Sequence, residues 1–158
     1  MMTKNEIPMA LRAAYMALHR RTESQLDSHE VTADQFVLLA TLDRGESLTQ
    51  RELARRMPSD PSTVRAMLVL LEKRGLVERD FHPTDGRART VSLSVAGKRK
   101  FRQLWKASEA IRELIFETLV PEEAELLVEL LTRIAKRLHP DSDFQTSSQQ
   151  KTSSKESP

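Results

Sequence analysis

A mainly α-helical fold carrying one small β-hairpin is what this 158-residue sequence predicts, and three observations predict it. Apolar residues recur at helical spacing through most of the chain, which is rich in the strong helix formers Ala, Leu, Glu and Arg. Gly (4 residues) and aromatic side chains (4%) are too sparse for an all-β fold. Only from Leu76 to Leu93 does the period change to strand-like alternation, on either side of turn residues Pro83, Asp85 and Gly86. The length favours a single domain, expected over residues 1–140 with about six helices and a two-stranded hairpin.

The elements follow in order from their punctuation. Ile7, Leu11, Ala14, Tyr15, Leu18 and Leu26 mark one stripe of a long first helix from Glu6 to about Leu26. Thr32 caps a second, with Gln35 as its reciprocal partner, Val31 and Phe36 as a hydrophobic staple, and Gly45 as the stop. Gln35 is read here as a capping group rather than a ligand contact. Thr49 and Glu52 form the same box for a third, short helix, with Leu48 and Leu53 as its staple and Pro58 ending it. Asp60 then caps a fourth, Pro61 occupies its first position, and Gly75 closes it. Two helices joined by so few residues, the second turned outward, make a helix-turn-helix.

In that fourth helix Val64, Met67, Leu68 and Leu71 recur at i, i+3, i+4 and i+7 and predict the buried stripe. Ser62, Thr63, Arg65, Ala66, Val69 and Lys73 are left outside. Such a face suits a major groove, where Arg can bond guanine, Ser and Thr reach either base edge, and Ala or Val meets a thymine methyl. For an isolated helix, an ordinary solvated face is the commoner explanation. Here, however, a hairpin with Arg87 and Arg89 at its tip follows at once, as a wing suited to phosphates or a narrow minor groove.

These residues resemble a known family. T-x-x-E-L-A at Thr49–Ala54, S-T-V at Ser62–Val64, L-x-K-x-G-L-V-x-R at Leu71–Arg79, D-x-R at Asp85–Arg87 and V-x-L-S-x-x-G at Val91–Gly97 together are similar to the MarR family of bacterial winged-helix regulators. The likeness extends over the chain to His139. It implies a homodimer on a palindromic operator in double-stranded DNA, usually a repressor, often released by a small aromatic or anionic effector. It also implies that Asp85 supports Arg87, which enters the minor groove. Val69 and Leu70 depart from the family, which often has polar residues there. Either the operator contacts are more apolar at that flank, or the flank packs on protein.

Ser94 caps a further helix expected to run unbroken to about Leu119, and a last one spans Pro121 to Leu138. With the first helix, these carry more apolar surface than a small winged helix can cover. Dimerisation helices are therefore expected at 6–28 and 95–138, flanking a DNA-binding core at 32–97; closure into a monomeric bundle is the other way to bury their stripes. Residues 141–158, rich in Ser, Thr, Gln and Lys, are expected to form a disordered tail.

Charge separates the same regions. Leu48 to Arg102 holds 13 Lys and Arg against 6 Asp and Glu, a net of +7, while the rest of the chain carries −5. Such a concentration is the electrostatic footprint of a phosphate-binding surface. Arg51, Lys73 and Arg89 are assigned to phosphates, Thr63 and Arg65 to bases with Ser62 and Ala66 in support, and Asp85 with Arg87 to the wing. His19, Arg20 and Trp105 are candidate effector contacts, although core and surface roles explain them as well.

Other functions find little support. The absence of Cys excludes disulfides, thiol chemistry and Cys-ligated metals, including the peroxide switch of one branch of the family. No catalytic motif occurs, and Glu122, Glu123, Glu125 and Glu129 read as a solvated helix face. His82 near Asp85 makes a poor metal cage, so neither metal nor cofactor is expected. No segment approaches the ~18 apolar residues of a membrane span, and no signal peptide is evident, so a cytoplasmic, nucleoid-associated protein is expected. The alternative to a transcriptional regulator is a winged-helix protein-interaction module without specific DNA binding.

Overall fold

The computed structural model describes residues 1–45 and 47–143. Helix α1 (Glu6–Leu26) passes through a 3₁₀ turn (Asp27–His29) into α2 (Ala33–Gly45). A two-residue strand, β1 (Leu48–Thr49), leads into α3 (Gln50–Arg56) and α4 (Pro61–Lys73). Strands β2 (Val77–Phe81) and β3 (Arg89–Leu93) form the hairpin, followed by α5 (Val95–Ala107), α6 (Glu109–Glu117) and α7 (Pro121–Leu138).

The predicted caps exist as hydrogen bonds. The Gln35 N–H donates to Thr32 Oγ1 at 3.1 Å, and the Thr32 N–H donates back to Gln35 Oε1 at 3.2 Å. Thr49 and Glu52 repeat the exchange at 3.1 and 2.7 Å. In each pair two backbone N–H groups that no helix turn could satisfy find acceptors. Gln35 is thus a capping residue, as its spacing suggested.

Leu26 of α1, Leu38, Leu39 and Leu42 of α2, Leu53 of α3, Val64, Leu68 and Leu71 of α4, Val91 of β3 and Leu104 of α5 meet in one core, each under 2% exposed. All four predicted stripe residues of α4 are buried. Helix α4 ends in a Schellman motif: the Leu76 N–H donates to Leu71 O and the Gly75 N–H to Glu72 O. Gly75 has φ +70°, which glycine adopts without steric cost. Immediately beyond, Ser94 joins this end of α4 to the start of α5. Its hydroxyl donates to Gly75 O at 2.6 Å and accepts from the Gly97 N–H at 2.9 Å, while its own N–H donates to Leu76 O.

Three details differ from the sequence expectation. The hairpin has a third strand, since Leu48 pairs with Val91 and Thr49 with Thr90 in an antiparallel sheet of order β1-β3-β2. Two residues are too few to show alternation, and the staple already accounts for Leu48. The single helix expected from Ser94 to Leu119 is divided at Ser108, where ψ is 3°. No proline causes this. Arg112 donates from Nη1 to Ser108 Oγ (2.7 Å) and from Nη2 to the Trp105 carbonyl (2.9 Å), which Ser108 Oγ also approaches at 3.1 Å. Side chains thus compete for the backbone acceptor where a helix would continue. Finally, of the tail expected at 141–158, residues 144–158 lie outside the described residues. Its first residues lie against α3: the Asp143 N–H donates to Arg55 O at 3.0 Å, and the two side chains pair at 3.7 Å.

Among the described residues, the outer helices remain largely uncovered. Ile7, Tyr15 and Leu18 of α1, Leu114, Ile115 and Phe116 of α6, and Leu126, Leu127, Leu130 and Leu131 of α7 are all exposed. Thr132 alone of the α7 residues is buried.

The Ser94 junction yields a prediction. A Cβ on Gly97 would stand 1.9 Å from Leu76 O, a backbone atom already fixed by Ser94. Gly97→Ala should therefore lower unfolding stability by about 1–3 kcal/mol, the usual cost of overpacking, measured by urea denaturation.

Candidate nucleic-acid interface

Burying one stripe of α4 aims the opposite one outward. Ser62, Ala66, Val69 and Lys73 lie along that outer line at i, i+4, i+7 and i+11, and all four are exposed. Arg65 flanks them on one side, Thr63 and Leu70 on the other, also exposed. Val69 and Leu70 are 42% and 51% exposed, so among the described residues they are not packed into the protein.

The N-terminus of α4 is ordered by Asp60. Its carboxylate accepts from the Thr63 N–H at 3.0 Å, from Thr63 Oγ1 at 2.6 Å, and from Ser62 Oγ. The Ser62 hydroxyl, then the Thr63 hydroxyl and N–H, hold the Asp60 carboxyl far below the usual carboxylate range. Glu52 is also lowered, chiefly by the Thr49 backbone N–H that it accepts. The sequence identified Asp60 only as a cap. That it also engages both exposed hydroxyls requires side-chain rotamers, which no spacing specifies.

The wing is stiffened by its own side chains. The His82 N–H donates to Ala88 O at 3.1 Å, and His82 Nδ1 accepts from the Thr84 and Asp85 N–H groups at 3.2 and 3.1 Å. Nδ1 is thereby occupied within the turn. Among the described residues no group of three His, Cys, Asp or Glu could hold a metal. Asp85 Oδ1 accepts the Arg87 backbone N–H at 3.0 Å, so Asp85 fixes the main chain from which Arg87 projects. Arg89 is disposed differently: its guanidinium lies 3.8 Å from the ring centroid of Phe81, its cross-strand partner.

Charge pairing distinguishes the arginines. Arg79, which sequence reading left without a role, pairs with Glu72 at 2.9 Å and donates to Gln50 at 3.2 Å, tying β2 to α4 and α3. Arg55 pairs with Asp143. Arg51, Arg65, Lys73 and Arg87 make no ion pair with any described carboxylate and are exposed or half-buried, so their charge faces solvent.

The three candidate effector residues each have neighbours of their own. His19 sits 5.7 Å from the Tyr15 ring and 3.8 Å from Glu23, and Arg20 is exposed. Trp105, 42% exposed, has the Phe101 ring tilted against it at 5.8 Å and the Arg112 guanidinium 3.6 Å from its ring centroid. None of the three lines the open groove near the end of α7, which is formed by Leu130, Arg133, Ile134, Lys136, Arg137 and Leu138.

Helix-turn-helix, wing and flanking helices define a winged-helix protein. The MarR family model matches residues 31–88. The chain is 27% identical over 137 residues to the HTH-type transcriptional repressor MdtR of Bacillus subtilis, covering 87% of this chain and 88% of that protein. It is 31% identical over 114 residues to the HTH-type transcriptional regulator YdcH of the same organism, covering 70% and 78%. Among solved structures, it superposes on a mutant MarR from E. coli complexed with operator DNA with a TM-score of 0.70 at 25% identity, covering 85% of this chain and 99% of that one. For NadR in complex with 4-hydroxyphenylacetate the TM-score is 0.75 at 26% identity, covering 86% and 99%. The chain belongs to the MarR family. It is a DNA-binding transcriptional regulator, not an enzyme.

The caps carry a pH dependence. Both Glu52 and Asp60 have lowered folded-state pKa values, so their contribution is complete above the ordinary values of 4.5 and 3.8 and is lost as pH falls through the lower folded ones. The urea midpoint should fall on acidification below about pH 4, and less steeply in a Glu52→Gln/Asp60→Asn double variant. At neutral pH, Thr49→Ala should cost about 1 kcal/mol.

Proposed function

We propose that the protein is a homodimeric repressor that sets α4 in successive major grooves of a palindromic operator and Arg87 in the adjacent minor groove. The observation carrying this reading is the outward line of α4, buried on its opposite side and flanked by Arg65, Lys73 and Arg87 without carboxylate partners among the described residues. Arg65 and Thr63 read bases, supported by Ser62 and Ala66; Val69 lies where it can meet a thymine methyl. Arg51 and Lys73 hold phosphates. Arg89 also holds phosphates, from a guanidinium seated over the Phe81 ring. Residues 32–97 are then the reading core.

The uncovered apolar faces of α1, α6 and α7 support dimerisation through residues 6–28 and 95–138, with the two α4 helices about 34 Å apart. Repression is supported by the name of MdtR, and release by a small aromatic acid by the NadR complex. Such an effector is placed near His19, Arg20 and Trp105, at the junction of the dimer helices and the reading core. The protein acts in the cytoplasm, on the nucleoid. The exposed Val69 and Leu70 favour a second reading, a protein-docking winged helix.

Arg65→Ala should cost about 1–3 kcal/mol on the correct operator while leaving random DNA nearly unaffected, in titrations at fixed salt. Equal binding of both DNAs by wild type and variant would remove α4 from the groove. Affinity for the promoter fragment should fall steeply with salt; indifference to DNA and salt would favour protein docking. Leu131→Glu should give a monomer in sedimentation with greatly weakened operator binding, whereas an unchanged mass would exclude α7 from the interface.

A further inference from the structure

Asp60 sets the hydrogen-bonding polarity of the face that α4 presents. An ionised carboxylate only accepts, so in its contacts with Ser62 Oγ and Thr63 Oγ1 the proton comes from each hydroxyl. A hydroxyl has one proton and two lone pairs. With the proton aimed back at Asp60, each offers only lone pairs outward, and both residues are exposed. A free Ser or Thr can turn its proton to suit either kind of base edge; these two have lost that choice. Phosphate oxygens require a donor, so the same arrangement disfavours the backbone as partner for either hydroxyl.

We infer that Asp60 fixes Ser62 and Thr63 as acceptors, so that this end of α4 selects an exocyclic amino group, adenine N6 or cytosine N4, over guanine O6 or thymine O4. The inference rests on the groove placement proposed above. In the major groove every base pair presents one amino and one keto group, on opposite strands. The selection therefore appears as A or C over G or T on one strand, at one half-site position or two. Arg65, a pure donor, supplies the complementary contact to guanine. The strong lowering of the Asp60 pKa keeps the carboxylate ionised wherever duplex DNA is intact.

The test uses the full-length protein and its Asp60→Asn variant, each selecting from a randomised duplex pool and then titrated against single base-pair changes. Asn caps a helix as well as Asp does, so the fold should be retained. Its amide nitrogen replaces one carboxylate oxygen, however, and donates instead of accepting, which frees a hydroxyl proton to point outward. Wild type should prefer A or C at the affected position by roughly three- to tenfold, the size of one net hydrogen bond. Asp60→Asn should abolish or reverse that preference and leave the rest of the motif unchanged. The same preference in both proteins, or a uniform loss of affinity in the variant, would overturn the inference. Thr63→Val, which keeps the shape and removes the hydroxyl, provides a second arm: an unaltered motif there also overturns it, unless Ser62→Ala alone abolishes the preference. If Arg65→Ala loses the motif while Asp60→Asn keeps it, groove placement stands and only the polarity assignment fails. If wild type selects no motif, both fall.

Discussion

Where α4 ends and α5 begins, one serine and one missing side chain hold the helix-turn-helix to the rest of the molecule. Ser94 caps α5 with the same hydroxyl that it donates to Gly75 O, and its N–H holds Leu76 O. Leu76 O in turn occupies the space that a side chain on Gly97 would need. The end of α4 and the start of the helix leading out to the apolar flank are therefore joined at a single close-packed junction. Two of the three hydrogen bonds at this junction use the Ser94 hydroxyl, and the third is between backbone groups.

The remaining cations are divided between structural and outward roles. Arg79 and Arg112 spend their donors on neighbouring elements: the first ties β2 to α3 and α4, the second bends the helix at Ser108 and covers Trp105. Arg65, Lys73 and Arg87 make no such commitment within the described residues, and all three are exposed, two on α4 and one on the wing. Attraction to a polyanion depends on this division more than on the total, since the net charge of the whole chain is only +2.

Polar side chains at the start of α4 and in the wing turn serve twice. Asp60 caps α4 and orients two hydroxyls on its outer face; Asp85 and His82 shape the wing turn and so aim Arg87. Local backbone satisfaction and the presentation of functional groups are thus achieved by the same atoms, and a substitution at any of these positions alters both.

Much of this was legible in the chain because it rests on short-range periodicity and capping. The α4 stripe, the Thr32, Thr49, Asp60 and Ser94 caps, the Gly75 stop and the basic patch are all encoded within a few residues, where sterics and hydrogen bonding act locally. What depended on residues distant in sequence was not legible. The pairing of β1 with β3 needs partners more than 40 residues apart, and the Arg55–Asp143 contact spans more than twice that. The break at Ser108 arose from Arg112 reaching back over Trp105, and the bracing of Arg89 by Phe81 across the hairpin, where rotamers rather than spacing decide. Sequence alone determined which faces turn inward, because burial of apolar stripes is set by period. Only the tertiary structure decided which polar groups on the outward faces are already engaged, because that depends on where neighbouring side chains come to rest.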